Sequence, residues 1–295
     1  MTGPGRLADL LIVGGLTIDH FADGSSAPGG AVLHAGRAAA AAGLRTTVVT
    51  VAGPEPVARR GLAELTALAE LHATDAPATI CYRHRETNAG RRLWLEADTI
   101  PLELPDDAVR RLPTSSVLFA PVAGEVPAAI LYTWDDVWRR GAIIQGWLRN
   151  GVVGAEVAPI VPDAISDDIV RALGSLDVLV ASREDLGAAA DTPVGQLDVL
   201  RRRIGRRPVL VVTDGADGVW IDMGHRRPHR VPAPVRVDGV PTVGAGDAFA
   251  ALFLAHFAGA RPTRLGSRVD PRHGRDAAAT YAMHAVAEML EGRRA

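Results

Sequence analysis

Short apolar runs that stop at a glycine or a small polar residue recur along this 295-residue chain, and stretches of helical spacing separate them. The runs are "DLLIVGG" (9–15), "RTTVVTVAG" (45–53), "SSVLFAPVAGE" (115–125), "RRGAIIQGWLR" (139–149), "LDVLVASRED" (176–185) and "RRPVLVVTDGADG" (206–218). Their apolar stretches are near-continuous, without a strict in/out alternation, so each predicts a strand buried on both faces, as parallel strands are. Between them, "APGGAVLHAGRAAAAAGL" (27–44) turns on Gly29 and Gly30 into an Ala-rich helix closed by Gly43. Strands alternating with helices predict an α/β fold whose mainly parallel sheet is covered on both sides.

Other stretches fit the same frame. Leu62, Leu65, Leu68 and Ala69 recur at helical spacing in "VARRGLAELTALAELHA" (57–73). "ATICYRHRETNAGRRLWLEA" (78–97) predicts two strands around an Asn-Ala-Gly turn, and its Arg and His place it outside the core. In "TPVGQLDVLRRRIG" (192–205), Thr192 can cap a helix, Pro193 suits its first turn, and Leu197, Leu200 and Ile204 form an inner stripe. The segment 262–276 is the most loop-like stretch, and "AAATYAMHAVAEML" (277–290) predicts a final helix. No repeat or low-complexity linker divides the chain, so residues 1–295 are expected to form one domain.

Composition removes several classes of function. A net charge of −2 supplies no field for nucleic acid or an anionic membrane surface, so neither partner is expected. All 32 cationic side chains are Arg, which excludes a phosphate loop of the GxxxxGK[ST] type. Phosphate would have to be handled by backbone amides, Arg or metal. Cys81 is the sole cysteine, which argues against a disulfide scaffold and suits a reducing cytosol. No apolar stretch approaches the roughly 18 residues of a membrane span, and the first residues run into a strand where an export signal would stand, so a cytoplasmic protein is expected. "VGGLTID" does not supply the GxGxxG of a dinucleotide-binding turn. "HRRPH" offers His225 and His229 as metal ligands, but a solvated hairpin loop between "GVWIDM" and "RVPAPV" explains them better.

The stretch with the most chemistry is "VPTVGAGDAFAALFLAHF" (240–257). Phe249, Leu252, Phe253, Leu254 and Phe257 surround a helix that must be buried, and the first turn of a helix leaves amide groups without partners. Gly244, Ala245 and Gly246 carry almost no side chain, so a ligand can approach those amides closely. About half a positive charge at the helix start suits an anion such as a phosphoryl group in transfer. Asp247 in the same turn can accept a proton from a hydroxyl. On spacing alone it is equally an ordinary first-turn acid after a tight turn.

"PTVGAGDAF" resembles the second signature of the ribokinase-like (PfkB) sugar kinases, Asp-Thr-Thr-Gly-Ala-Gly-Asp-x-Phe, and "VPAPVRVDGV" resembles the strand that leads into it. The family's opening strand, its substrate-holding Asp and its Gly-Gly turn into an Ala-rich helix are matched by residues 9–15, Asp19, Gly29 and Gly30. Its Thr-x-Gly-x-x-Gly strand end is matched by Thr213, Gly215 and Gly218. These elements keep their order over residues 9–290. The resemblance implies a three-layer α/β/α sandwich with a small β lid, built from residues 77–97 and the short 17–28 loop. It implies ATP with magnesium as donor, Asp247 as general base, and Gly244, Ala245 and Gly246 as the anion hole.

Departures qualify what is carried over. The acidic residue that opens the signature, linked in the family to a potassium site, is Pro241 here. The family's Asn-x-x-Glu near the phosphates appears as Ser182 and Asp185, of which Asp185 can hold a hydrated metal. The usual Asn after Gly-Gly is His34, able to donate to a substrate hydroxyl or to sit as a satisfied helix-edge residue. Tyr82, His84 and Arg85 of the hairpin either reach substrate or face solvent. Arg149 either faces a phosphate or ends a strand. "VAGEVP" and "QGWLR" look most like the myo-inositol kinase branch, so the expected acceptor is a small polyol, sugar or cyclitol. A nucleoside acceptor, or a catalytically silent relative that binds polyol or nucleotide, remains open. A reduced lid weakens the family's sheet-against-sheet dimer, leaving a monomer or a homodimer.

Overall fold

The structure, a computed structural model, describes residues 7–87, 90–104, 106–237, 239–265 and 274–294. The tip of the 78–97 hairpin at Asn88 and Ala89, and residues 266–273 of the loop-like segment, lie outside them.

In chain order the strands are β1 (Leu10–Gly15), β2 (Thr17–His20), β3 (Ser26–Gly29), β4 (Thr46–Ala52), β5 (Glu70–Asp75), β6 (Ile80–Thr87), β7 (Gly90–Ala97), β8 (Ser116–Phe119), β9 (Arg139–Ile143), β10 (Arg149–Asn150), β11 (Ala158–Pro159), β12 (Val178–Ser182), β13 (Val209–Thr213), β14 (Val219–Asp222) and β15 (His229–Val231). The helices are α1 (Ala31–Ala41), α2 (Pro56–Leu68), α3 (Asp107–Arg110), α4 (Asp167–Leu173), α5 (Pro193–Ile204), α6 (Ala245–Phe257) and α7 (Arg275–Glu291).

Nine strands form one sheet in the order β15-β14-β13-β12-β9-β8-β1-β4-β5. It is parallel from β13 to β5, with β14 and β15 added antiparallel at one edge. Both faces of the central strands are buried, as the uninterrupted apolar runs require, whereas the edge strands β5 and β15 are partly exposed. Leu10 and Ile12 of β1 belong to one core with α1 and α6, whereas Leu11 and Val13 belong to the other with α5. The result is three layers, α/β/α. The strand order reverses between β1 and β8, and the crevice beyond their carboxyl ends is where such sheets bind ligands.

Local signals act as their chemistry dictates. Thr192 caps α5 by accepting from the Gly195 amide at 3.1 Å. Helix α6 is buried continuously from Ala248 to Ala255 and packs on α1 and α7. Three expectations are corrected. The helical spacing of 57–73 stops at Leu68, and Glu70–Asp75 turns extended because it pairs in parallel with β4 as the sheet's outer strand. Among the described residues of "VPAPVRVDGV" only Val231 lies in a strand, which covers His229–Val231; two prolines lacking N–H donors interrupt the ladder beyond it.

The third correction concerns the lid. Residues 17–28 are not a loop: Thr17–His20 and Ser26–Gly29 are strands, and they join the 80–97 hairpin in a four-stranded sheet, β3-β2-β6-β7. One side of the hairpin is buried, with Ile80, Tyr82, His84 and Leu95 turned inward, so it is not wholly outside the core.

Glu125 fastens the carboxyl ends of two strands. Its buried carboxylate accepts from the amides of Gly15 at 2.6 Å, Val122 at 3.1 Å and Ala123 at 2.9 Å. Burial pushes its carboxyl group up from the ordinary value, and the amide donors oppose that shift. Each orphaned buried amide costs about 1–3 kcal/mol. Glu125→Ala should therefore lower unfolding free energy by about 3 kcal/mol or more, and Glu125→Gln by distinctly less, in urea titrations at neutral pH.

Candidate active site

Two clefts open at the carboxyl ends of the parallel strands. The first, of about 430 Å³, is the polar cleft by its charged side chains, although apolar groups make up as much of its lining, and it is bounded by the four-stranded sheet on one side and the start of α6 on the other. Asp19, Gly30, His34, Arg149, Ser182, Asp185, Gly244, Gly246 and Asp247 line it, together with Thr213 at its border. The second, of about 380 Å³, is mainly apolar, walled by Val219, Val235, Val240, Phe249 and, from α7, Met283, Val286 and Leu290. Thr213, Thr242 and Gly246 line both clefts, so the clefts meet at the glycine turn. Gly215 and Gly218 border the second cleft alone.

Gly244 is the N-cap of α6 with φ +77°, a left-handed conformation that favours glycine. A Cβ at this position would strike the ring of His34 on α1, so the absence of a side chain also sets how closely α1 and α6 approach. Among the described residues, none accepts from the backbone amides of Gly246 and Asp247. The expectation for Ala245 is corrected: its amide donates to the Thr242 carbonyl at 3.0 Å, closing the turn, so it is not a free donor. The next amide in the helix, Asp247, takes its place.

Asp247 is half-buried at the mouth of α6. Burial pushes its carboxyl up to about 6, against the pull of the Arg149 guanidinium and with a further push from Asp185 and Asp19. Gln145 donates to its Oδ1 across 3.4 Å, while Arg149 donates to Gln145 Oε1 at 3.0 Å. Because Arg offers only donors, it fixes the oxygen end of the Gln145 amide and turns the nitrogen toward Asp247. The four-residue spacing of Gln145 and Arg149 relates those two in sequence; nothing in the sequence relates either to Asp247.

Asp185 is held in its turn by Ser182, whose amide (3.1 Å) and hydroxyl (2.7 Å) both donate to Oδ2. Its Oδ1 lies 3.5 Å from Arg149. Arg149 thus spans Asp185 and the Gln145 amide that faces Asp247.

On the lid side, Thr17 donates to Asp19 Oδ1 at 3.3 Å, and His84 Nε2 lies 3.3 Å from the same oxygen. Gly29 is corrected from a cleft residue to a support: it is buried behind Asp19, and a Cβ there would collide with the Asp19 carboxylate and the Thr17 hydroxyl. Tyr82 donates to the Val122 carbonyl at 2.8 Å, joining lid to sheet, whereas Arg85 turns outward and lies over the Trp94 ring. Burial, with Arg37 nearby, lowers His34 to about 4, so its ring is neutral at pH 7. Its buried Nδ1 has no protein partner. Of the "HRRPH" pair, His225 lies in an exposed turn against the Met223 carbonyl, whereas His229 opens β15 and meets Asp276, so the two do not form a joint metal site.

Residues 148–265 match the family described as pfkB family carbohydrate kinase, a segment that includes Ser182, Asp185, Thr213, Gly215, Gly218 and the 244–247 turn. The match covers the carboxyl-terminal half of the site and not the lid side. The fold of the chain is that of the ribokinases over nearly its whole length. A pyrophosphate-dependent kinase in the ribokinase family, complexed with a pyrophosphate analog and myo-inositol, superposes with TM-score 0.71 at 18% identity, covering 96% of this chain and 95% of that one. Arabidopsis thaliana ribokinase complexed with ribose and ATP gives 0.69 at 14%, covering 97% and 93%. Adenosine kinase from Sinorhizobium meliloti gives 0.67 at 15%, covering 96% and 94%. No curated protein matches the chain. No helix among the described residues is long and apolar enough to cross a membrane.

The raised Asp247 pKa has a consequence for stability. The folded value near 6 lies above the 3.8 of an ordinary Asp, so holding the charged form costs nothing below about pH 4, increasingly more up to pH 6, and the full amount above. Asp247→Asn removes that cost, allowing for partial solvent access, and should stabilise the protein by about 1–2 kcal/mol at pH 8 relative to pH 4. Chemical denaturation of both proteins at the two pH values measures the difference.

Proposed function

We infer that this chain is a PfkB-family kinase that transfers the γ-phosphate of ATP to a hydroxyl of a small polyol, sugar or cyclitol of the myo-inositol type. The observation that carries the reading is the meeting of a polar and an apolar cleft at the unpartnered amides of the glycine turn, with the Asp247 carboxylate on the polar side.

The acceptor would lie in the polar cleft. Asp19 is suited to receive hydrogen bonds from its hydroxyls, and the orphaned His34 Nδ1 offers a neutral partner for another. A ligand group there would satisfy a buried polar atom that otherwise lacks a bond. Asp247 would take the proton of the attacking hydroxyl, and a carboxyl near 6 is mostly ionised at neutral pH yet more basic than an ordinary aspartate. The Gly246 and Asp247 amides, at the positive end of α6, would meet the charge on the transferring group. Gln145 would hold the base in aim, and Arg149 would face phosphate oxygens.

The apolar cleft distinguishes the donors. Adenine gains from burial against Val219, Val286 and Leu290, with Thr213, Gly215 and Gly218 bordering the nucleotide; pyrophosphate has no apolar part to place there. Magnesium, when bound with the donor, neutralises phosphate charge. Asp185 fits it as a single carboxylate contact, since magnesium keeps its waters and takes most ligands from substrate phosphates. The oligomeric state compatible with this reading is a monomer or homodimer.

Asp247→Asn should keep the fold and lose about 10²–10⁴ in kcat, the usual worth of a general base. With the native protein, kcat/KM should fall about tenfold per pH unit below about 6 and level off above it. Near-normal turnover of the variant would remove Asp247 from that role. Val286→Asp, which places a charge in the apolar cleft, should raise the KM for ATP about tenfold and leave that for the acceptor unchanged. A panel of cyclitols, hexoses and nucleosides, each offered with ATP or with pyrophosphate, tests acceptor and donor together. Turnover confined to nucleosides or to pyrophosphate overturns the respective half of the reading, and binding without turnover marks a silent relative.

A further inference from the structure

The lid sheet has a second face, turned away from the clefts. Successive residues of a strand point to opposite sides, so Asp19 and Tyr82, which line the polar cleft, leave His20 and Cys81 on the outer side. Parallel pairing sets Ile18 opposite Cys81, which places His20 one step along from the thiol. On β7 the register slips at this point: Cys81 opposes Ala97 and Tyr82 opposes Leu95, so Glu96 is the extra residue of a β-bulge. Its carboxylate meets the other two groups. Glu96 Oε2 lies 2.8 Å from His20 Nδ1 and 3.9 Å from Cys81 Sγ, and Cys81 Sγ lies 3.7 Å from His20 Nδ1. Among the described residues, no other group of three His, Cys, Asp or Glu side chains converges within metal-binding distance.

We propose that His20, Cys81 and Glu96 form a zinc site on the outer face of the lid. Zinc takes thiolate, imidazole and carboxylate ligands at about 2.0–2.3 Å, which in a tetrahedron sets the ligand atoms about 3.3–3.7 Å apart. The thiol and carboxylate stand at nearly that spacing, but the sulfur is 3.7 Å from His20 Nδ1 and 3.8 Å from Nε2, so the ring has to turn Nδ1 toward it while the His20–Glu96 hydrogen bond opens and its proton leaves to solvent as the metal enters. Arg83, paired with Glu96 Oε1, holds the carboxylate so that Oε2 faces the thiol, which is the orienting contact that metal-bound carboxylates commonly have. One thiolate with one nitrogen and one oxygen suits zinc better than magnesium or calcium, which favour oxygen alone. Cys81 is buried while the His20 side chain is 41% exposed, so the thiol is shielded and the fourth position opens to solvent. Zinc is bound by the thiolate, so its binding would release the thiol proton and grow tighter as pH rises. The ion would join β2, β6 and β7, and so stiffen the strand that carries Asp19.

Zinc alone and cobalt alone, titrated into the full chain, test the site. The expected result is one equivalent bound, a thiolate-to-cobalt charge-transfer band in the near ultraviolet, and a rise in Tm with zinc. Cys81→Ser should abolish the band, and it and His20→Gln should each weaken zinc binding at least tenfold. His20 is partly exposed, so its variant remains a fair test should the buried Cys81 variant fold poorly. Absence of stoichiometric binding, a cobalt spectrum without the thiolate band, or zinc affinity unchanged in both variants overturns the proposal.

Discussion

A helix that is buried along its sides has one place to leave its first amides in contact with anything polar, and that is its mouth. Helix α6 is such a helix, continuously buried from Ala248 to Ala255. Its opening turn therefore faces a cleft, with Gly244 bent left-handed and two amides pointing into open space. Nearly every other part of the site is placed relative to that turn. His34 rests against Gly244, Asp247 follows in the first turn, and the polar and apolar clefts lie on its two sides.

The supports around the turn are mostly polar groups with their valences filled. Glu125 gathers the strand ends at Gly15 and Val122, and Val122 in turn accepts from Tyr82 of the lid. Ser182 grips Asp185, and Arg149 spans Asp185 and the Gln145 that faces Asp247. Groups held this way keep their geometry before any ligand arrives, which electrostatic stabilisation of a developing charge requires. His34 Nδ1 stands apart as a buried polar atom without a protein partner, packed against Gly244.

The four-stranded sheet presents two differently furnished faces. Its inner face closes the polar cleft with Asp19, Tyr82 and His84, while its outer face gathers His20, Cys81 and Glu96. Leu95 turns inward and Glu96 follows it outward, at a bulge where Cys81 opposes Ala97 and Tyr82 opposes Leu95.

Much of this was written in local sequence. The apolar runs required a parallel sheet covered on both faces, Gly-Ala-Gly-Asp before a wholly apolar helix marked the turn and its acid, and Thr-Asp-Gly-Ala-Asp-Gly marked the end of β13. Other features depended on partners distant in the chain. "TIDHFADGSSAPG" reads as a turn-rich loop, and it becomes two strands because β6 lies alongside to pair with β2. "ELHATD" continues a helical spacing, and it becomes an edge strand because β4 offers a free ladder. The Ala245 amide closes a turn, Gly29 backs Asp19, and Gln145 reaches Asp247 across 102 positions of sequence. Periodicity and small-residue spacing fix backbone elements because those forces act within a few residues. Which side chains meet, and which amides remain free, is decided by packing between elements, and only the folded chain contains that information.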